Sequence, residues 1–215
     1  KSVHIYGSTG IIGEKTIDIL SKYFPKYKVD ILLANQNYKK LAKQSIKLRP
    51  KYICLLDKSK YLLLKKEITN NKIIINNTSE INEIIRNTKS DVSILAISGY
   101  SALKFLNSII YSTKNLGLVN KESIVSAGHL LNKLCKKNDT NLIALDSEHY
   151  SIQNFFNQIN LKNFNDIRHV YLTASGGPFL NKKLSDIHNI KPYIALKHPK
   201  WKMGKKISID SATMM

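Results

Sequence analysis

Ser2-Val-His-Ile-Tyr-Gly7-Ser-Thr-Gly10-Ile-Ile-Gly13 is the stretch whose reading decides the fold. Ser2 to Tyr6 alternates and is largely apolar, as a short strand would be. Three glycines follow at intervals of three. Ile17, Leu20 and Phe24 then recur at helical spacing, which predicts a helix over Glu14–Tyr23 that Pro25 closes. A tight turn needs backbone angles that glycine takes cheaply. Missing side chains also let the main chain approach a pyrophosphate, whose charge meets the N–H groups at the helix start. A glycine turn alone can serve packing. Between a strand and a helix it reads as a dinucleotide site.

The strand Val29–Ala34 ends about 20 residues beyond the turn, where an acidic residue commonly binds the ribose diol of NAD. The sequence there is Asn35-Gln36-Asn37, and Asp30 lies at the strand's other end. Neutral amides followed by Lys39 and Lys40 suit a 2′-phosphate and favour NADP. The two lysines equally suit an exposed helix start in a Lys-rich chain.

Outward from the turn, strands and helices alternate with short connections. Helices are expected over Tyr38–Leu48, Ser59–Ile68, Ser79–Arg86, Ala102–Ile110 and Ser123–Lys136. Strands are expected over Tyr52–Leu56, Lys72–Ile75, Asp91–Ile97, Asn115–Asn120 and Leu142–Leu145. This pattern predicts an α/β fold with a doubly wound, parallel, Rossmann-like sheet. After Asp146 the texture changes to a helix over Ser151–Phe156, a surface loop over Asn154–Asn165, strands over Val170–Thr173 and Ile207–Asp210, and loops bearing Gly and Pro. A boundary near residue 145 is expected. It separates a nucleotide-binding domain, 1–145, from the start of an α+β catalytic domain, 146–215.

The 215 residues carry 34 Lys+Arg against 15 Asp+Glu, a formal net charge of +19. Only Arg49, Arg86 and Arg168 are arginine, whereas groove readers and phosphate clamps favour its planar fork. Lys, Ile and Asn number 31, 29 and 21, a set that rises together in AT-rich coding sequence. The charge is therefore read as compositional drift over a solvated surface, and no nucleic-acid partner is expected. No window approaches about 18 uninterrupted apolar residues, so no membrane-spanning helix is expected. Cys54 and Cys135 lie in apolar surroundings and suit buried thiols in a reducing compartment.

Two polar clusters follow predicted strands, where open α/β sheets place ligands. They are Asn120-Lys121-Glu122 and Asp146-Ser147-Glu148-His149. Asp146 and Glu148, two apart, could share one hard cation such as Mg²⁺ or Mn²⁺. Asp146 or Ser147 could equally cap the next helix, and the two readings are compatible. Ser175-Gly-Gly-Pro-Phe179 offers amides and a hydroxyl to an anion, or is an ordinary turn. His198-Pro-Lys-Trp201-Lys-Met203-Gly204-Lys-Lys carries the single Trp and suits either a lid or a loop anchored by Trp201. His4, His129, His169 and His188 have no motif around them and read as structural or surface groups.

Gly-Ser-Thr-Gly-Ile-Ile-Gly, Asn-Lys-Glu-Ser, Asp-Ser-Glu-His, Ser-Gly-Gly-Pro-Phe, His-Pro-Lys-Trp-Lys-Met-Gly-Lys-Lys-Ile and Asp-Ser-Ala-Thr-Met-Met occur in that order. Together they closely resemble the 1-deoxy-D-xylulose 5-phosphate reductoisomerase family, over the whole chain. The resemblance implies NADPH, a divalent cation (Mg²⁺ or Mn²⁺) and a small sugar phosphate substrate. The reaction would rearrange 1-deoxy-D-xylulose 5-phosphate to an aldehyde and reduce it to 2-C-methyl-D-erythritol 4-phosphate. It further implies that Thr9, Gly10, Ile11 and Ile12 cradle the pyrophosphate. Asn35, Gln36 and Asn37 would lie by the 2′-phosphate, and Asn120, Glu122 and Gly204 would also border the cofactor. Asp146 and Glu148 would hold the metal. Lys121, Ser147, Glu148, Ser175, His198 and Ser211 would contact substrate, and catalysis would rest on Asp146, Glu148, Lys121 and His198. Trp201 and Met203 would belong to a closing loop.

The sequence departs from the family's pattern in places. Asn35-Gln36 stands where Gly-Lys is common, which removes a direct charge from the 2′-phosphate, with Lys39 as a substitute. Ile11 stands where Ser is common, and Val119 where Ala is common. The family continues Met-Met with Asn-Lys-x-x-Glu, which supplies a third metal carboxylate, so the chain reads as C-terminally truncated. A homodimer is expected at full length, in a bacterial cytoplasm or in the plastid of an AT-rich eukaryotic parasite. The competing readings are a nucleotide-binding fragment without activity, a different NADP-dependent oxidoreductase, and a polyanion-binding module. A semialdehyde dehydrogenase would need a nucleophilic cysteine at a strand end, where neither cysteine lies.

Overall fold

A computed structural model describes residues 1–68, 73–159, 164–171, 176–199, 205 and 208–209, with the backbone alone at 73 and 164. The chain forms two compact units, Lys1–Asn160 and Leu161–Met215.

The first unit alternates strand and helix throughout. Its order is β1 (Ser2–Tyr6), α1 (Ile11–Tyr23), β2 (Lys28–Ala34), α2 (Tyr38–Leu48), β3 (Tyr52–Leu55), α3 (Tyr61–Glu67), β4 (Ile73–Ile75), α4 (Thr78–Asn87), β5 (Ser90–Leu95), α5 (Leu103–Ser112), β6 (Thr113–Leu118), α6 (Lys121–Lys137), β7 (Asn141–Ala144) and α7 (Ser147–Gln158). Among the described residues the strands make one sheet in the order β4-β3-β2-β1-β5-β6-β7. Every pairing is parallel. Val3 registers with Val29 on one side and with Val92 on the other. The chain therefore winds outward from β1 to β4, returns, and winds the other way from β5. That leaves a topological switch point between β1 and β5, as the doubly wound reading requires.

Burial on both faces explains the apolar strands. Val3 and Ile5 of β1 join Leu32, Ala34, Ile53 and Leu55 under Ile17 of α1, Leu41 of α2 and Leu64 of α3. Tyr6 joins Ile31, Leu33, Cys54 and Leu95 under Ile81 and Ile85 of α4 and Phe105 and Ile109 of α5. Leu131 and Cys135 bring α6 to that second face. Both cysteines are buried and free, as expected.

Helices start earlier than apolar periodicity suggests. α1 begins at Ile11 rather than Glu14, α6 at Lys121 rather than Ser123, and α7 at Ser147 rather than Ser151. Each begins immediately after its N-cap residue, Gly10, Asn120 or Asp146; in α6 and α7 a side-chain cap starts a polar first turn ahead of the periodic residues, and in α1 the glycine turn itself leads into the helix. α7 also continues through Gln158, so Asn154 to Gln158 are helical and not the expected loop. Strand β5 ends at Leu95, two residues short of the expected Ile97.

In the second unit the described residues form single 3₁₀ turns at Phe164–Asp166 and Leu184–Asp186 and a short helix α8 (Pro192–Ala195), with proline at its first position. The strand expected from Val170 fails at Val170 and Tyr171, which are outside regular structure and 58% and 86% exposed. Ser208 and Ile209, expected in a strand, are helical; four alternating residues are too few to separate the two periods. Lys72, Leu172, Thr173, Ile207 and Asp210 lie outside the described residues. Among the described residues no helix is long and apolar enough to cross a membrane.

Candidate active site at the carboxyl edge of the sheet

Because every strand is parallel, all the carboxyl ends lie along one edge, and the expected residues of the first unit gather there. The glycine turn comes first. Gly7 has φ +88, and its N–H and that of Ser8 both donate to the Leu33 carbonyl, at 2.8 and 2.9 Å. A Cβ on Gly7 would stand 2.5 Å from the Ala96 carbonyl oxygen. A Cβ on Gly13 would strike the Gly7 carbonyl and Ser8. These two glycines thus let the turn pass between the ends of β2 and β5 and let α1 seat on it.

Gly10 differs. It is the N-cap of α1, has φ −81, and offers no side-chain cap. A Cβ there would have one neighbour within 4 Å, the Gly7 carbonyl oxygen at 3.4 Å. Its bareness leaves an open approach to the first N–H groups of α1, which have no intrahelical partner. Thr9 and Ile12 are half-buried and Ile11 is exposed around that opening. This cradle fits a dinucleotide pyrophosphate.

Asn35, Gln36 and Asn37 are exposed beyond β2. Asn37 is engaged in capping: its Oδ1 accepts the Lys40 N–H at 3.2 Å. The Lys40 ammonium reaches Glu14 Oε1 at 2.7 Å, and Gln44 Nε2 donates to the Ser8 carbonyl at 2.8 Å. These two side chains of α2 hold it against α1 and the glycine turn. Lys39 is exposed, with no ion pair among the described residues.

At the end of β6, Asn120 is 4% exposed and caps α6, its Oδ1 accepting the Ser123 N–H at 2.7 Å. Its Nδ2 is shared among the carbonyls of Ile97, at 2.8 Å, and Gly99, at 3.0 Å, and Glu122 Oε2, at 3.0 Å. One buried amide thus ties the loop after β5 to the loop after β6. Sequence reasoning did not single out that Ala96–Gly99 loop. Its signal is Ser98-Gly99 shortly after a strand at the switch point.

At the end of β7, Asp146 is 7% exposed and caps α7. Its Oδ1 accepts the His149 N–H at 2.9 Å and lies 2.7 Å from His149 Nδ1. Its Oδ2 is buried without a hydrogen-bond partner, 3.6 Å from the Lys121 ammonium. The same ammonium donates to Glu148 Oε2 at 3.2 Å, and the Ser147 hydroxyl donates to that oxygen at 2.9 Å. Partial burial alone would raise the Glu148 carboxyl. Its own backbone N–H, the Ser147 hydroxyl and Lys121 outweigh burial and hold it below the ordinary Glu range. The capping reading of Asp146 is met through Oδ1, and Oδ2 faces the Lys121 ammonium. His149, absent from the expected set, is the group that orients Asp146.

Among the described residues no cluster of three metal-ligating side chains occurs. The Asp146–Glu148 pair with a bridging ammonium is nevertheless hard-oxygen chemistry suited to Mg²⁺ or Mn²⁺. The buried Asp146 oxygen that accepts no hydrogen bond is the position such an ion would fill. His198 is half-buried in the second unit. Ser175, Gly204, Ser211, Trp201 and Met203 lie outside the described residues. His4 is buried, while His129, His169 and His188 are exposed, as expected of residues without a motif.

A family model described as 1-deoxy-D-xylulose 5-phosphate reductoisomerase matches residues 3–128, and one for that enzyme's C-terminal domain matches residues 142–215. The chain is 42% identical over 217 residues to the 1-deoxy-D-xylulose 5-phosphate reductoisomerase of Pelagibacter ubique, with 100% of this chain and 55% of that protein covered. The identity with the protein of that name from Wolbachia pipientis wMel is 43% over 218 residues, covering 100% and 54%. Among solved structures, the reductoisomerase from Zymomonas mobilis in complex with NADPH superposes with a TM-score of 0.84 at 33% identity, covering 100% of this chain and 54% of that one. A DOX-P reductoisomerase with NADPH, fosmidomycin and magnesium gives 0.84 at 32%, covering 100% and 55%. The chain spans about half the length of the curated relatives it matches.

Proposed function

The chain belongs to the 1-deoxy-D-xylulose 5-phosphate reductoisomerase family, and from that premise we propose that it serves the NADPH- and metal-dependent conversion of 1-deoxy-D-xylulose 5-phosphate to 2-C-methyl-D-erythritol 4-phosphate. The observation that carries the proposal is the meeting of Lys121, Asp146 and Glu148 at the ends of β6 and β7, on the edge that also bears the bare N-terminus of α1.

Residues 1–145 form the nucleotide-binding domain in this reading, and the catalytic domain begins at Asp146. Thr9, Gly10, Ile11 and Ile12 offer main-chain N–H groups to the pyrophosphate, and the N-terminus of α1 favours its charge. Asn35, Gln36 and Asn37 border the 2′-phosphate, with Lys39 supplying positive potential. Asn120 fixes the loop between β5 and the cofactor and turns Glu122 toward the same edge, with Gly204 as a further border. Asp146 and Glu148 would hold Mg²⁺ or Mn²⁺, with His149 fixing the Asp146 carboxylate through Oδ1. Lys121, Ser147, Ser175, His198 and Ser211 bind and orient the sugar phosphate, whose remote anchoring lends binding energy to the reacting end. Trp201 and Met203 would belong to a closing loop that excludes water. When bound, the cation supplies Lewis-acid polarisation of the substrate carbonyl, and NADPH supplies the hydride. The working protein is a homodimer in a bacterial cytoplasm.

An NADPH-oxidation assay with 1-deoxy-D-xylulose 5-phosphate and Mn²⁺, run on this chain and on the full natural chain, tests the proposal. Substrate-dependent oxidation by the full natural chain is expected. Its absence at saturating substrate and metal refutes the assignment.

A further inference from the structure

We infer that Lys121 is the resident counter-ion of the cation site: its ammonium bridges Asp146 and Glu148 until a divalent cation displaces it, and displacement releases it toward substrate. This rests on the proposed cation role of the two carboxylates.

Lys121 stands in the first turn of α6, where a positive charge opposes the helix dipole. Its position therefore needs another source of stabilisation, and the two carboxylates at 3.2 and 3.6 Å provide it. The acceptor inventory shows why an ammonium is held there. Asp146 Oδ1 is taken by the backbone and ring of His149. Oδ2 has no hydrogen-bond donor and sits in a group only 7% exposed. A nearly buried carboxylate oxygen in that condition is unfavourable unless a cation stands near. Glu148 is its neighbour, so without a positive charge two anions would repel across the site.

The ammonium cannot keep that position when a metal arrives. Two carboxylates and one ammonium sum to −1, and adding a divalent ion to the same oxygens would leave a net +1 with two cations in mutual contact. The Lys121 side chain is 41% exposed, and its four-carbon stem rotates freely, so it can leave while α6 stays in place. Metal loading and the delivery of Lys121 to an anionic substrate are then one exchange. This imposes an order, with the cation before productive substrate binding, and it makes Lys121 a competitor of the metal as well as a substrate contact.

The test is Mn²⁺ binding to the full natural chain without substrate, followed by the electron paramagnetic resonance signal of free Mn²⁺. Removing the internal competitor in Lys121→Met should tighten Mn²⁺ binding about three- to tenfold. A second readout uses the wild-type protein alone. Acetylation of Lys121 by an N-hydroxysuccinimide ester, measured by peptide mass spectrometry, should rise several-fold on saturation with Mg²⁺. Unchanged or weaker Mn²⁺ affinity in Lys121→Met overturns the inference, and so does Lys121 labelling that ignores Mg²⁺. Asp146→Asn separates the two levels: Mn²⁺ binding undiminished in that variant refutes the cation assignment itself.

Discussion

Gly7 lies against Ala96 so closely that a single added carbon would stand 2.5 Å from the Ala96 carbonyl oxygen. The obstacle is main chain and cannot rotate away, and φ at Gly7 is +88. Gly7→Ala should therefore lower stability by about 3 kcal/mol through strain and displacement of β5, measured by urea unfolding. Gly10→Ala makes the contrast. Its added methyl group makes one ordinary contact, 3.4 Å from the Gly7 carbonyl oxygen, so stability should change by less than about 1 kcal/mol, while NADPH affinity falls about tenfold because the methyl occupies the phosphate approach. Fluorescence titration with NADPH separates the two. Equal NADPH affinity in Gly10→Ala and wild type would remove the cradle.

Asp146→Asn and Glu148→Gln in the full natural chain should each reduce turnover by at least about 100-fold, since each replaces an anionic oxygen ligand with a neutral amide. NADPH should still bind, because the glycine turn belongs to other strands. Near-normal turnover at saturating Mg²⁺ would refute the metal assignment.

Asn120→Asp is a sharper probe than alanine. The carboxylate keeps the capping acceptor for Ser123 but loses the donors to Ile97, Gly99 and Glu122. It also sets a second negative charge beside Glu122. Stability should drop by about 2 kcal/mol, and NADPH binding should weaken with it. A urea midpoint equal to wild type would show that the β5 loop does not depend on this amide.

His4 is fully buried in β1. Burial first, and the Lys51 charge second, lower its pKa from 6.5 to about 4. The unfolded chain therefore binds a proton between those values that the folded chain refuses. Stability should be level above about pH 6.5 and fall as pH drops toward 4, by an amount on the order of 3 kcal/mol. His4→Gln should flatten that part of the profile in denaturant titrations at successive pH values. An unchanged slope would assign the loss to other groups.

Lys39→Met should reduce the preference for NADPH over NADH by about threefold, and Lys40→Met by less, since Lys40 is already paired with Glu14. The ratio of the two dissociation constants in each variant decides this, and an equal effect of both variants would count against the separation.

The sheet and its connections were legible because parallel strands buried on both faces are written as short apolar runs, and helices as period-3.6 faces. Tyr38–Leu48 matched to the residue because Asn37 caps it and Pro50 follows. The second unit was less legible. Val170 and Tyr171 read as a strand by residue type, yet exposed residues with no paired strand among the described residues gain nothing from an extended form. The carboxylate pair and Lys121 were visible in sequence as polar clusters after strands. The division of labour within Asp146 was not, because Oδ1 and Oδ2 are the same to any pattern. The loop after β5 escaped for a related reason: its part comes from touching Gly7 and Asn120, which lie far from it in sequence.

The central place of β1 also sets a timetable for folding. β1 finds β2 across a short helical connection, but its other neighbour is β5, and Ser2 and Asp91 hydrogen-bond across 89 positions. During synthesis the inner edge of β1 stays open until that later strand has emerged, and no local contact can substitute for it. Parallel pairings of this span are slow to form, and an open apolar edge is a template for wrong pairing. The strand that carries the glycine turn is thus made well before the strand that encloses its second edge, so the phosphate cradle is complete only once β5 docks.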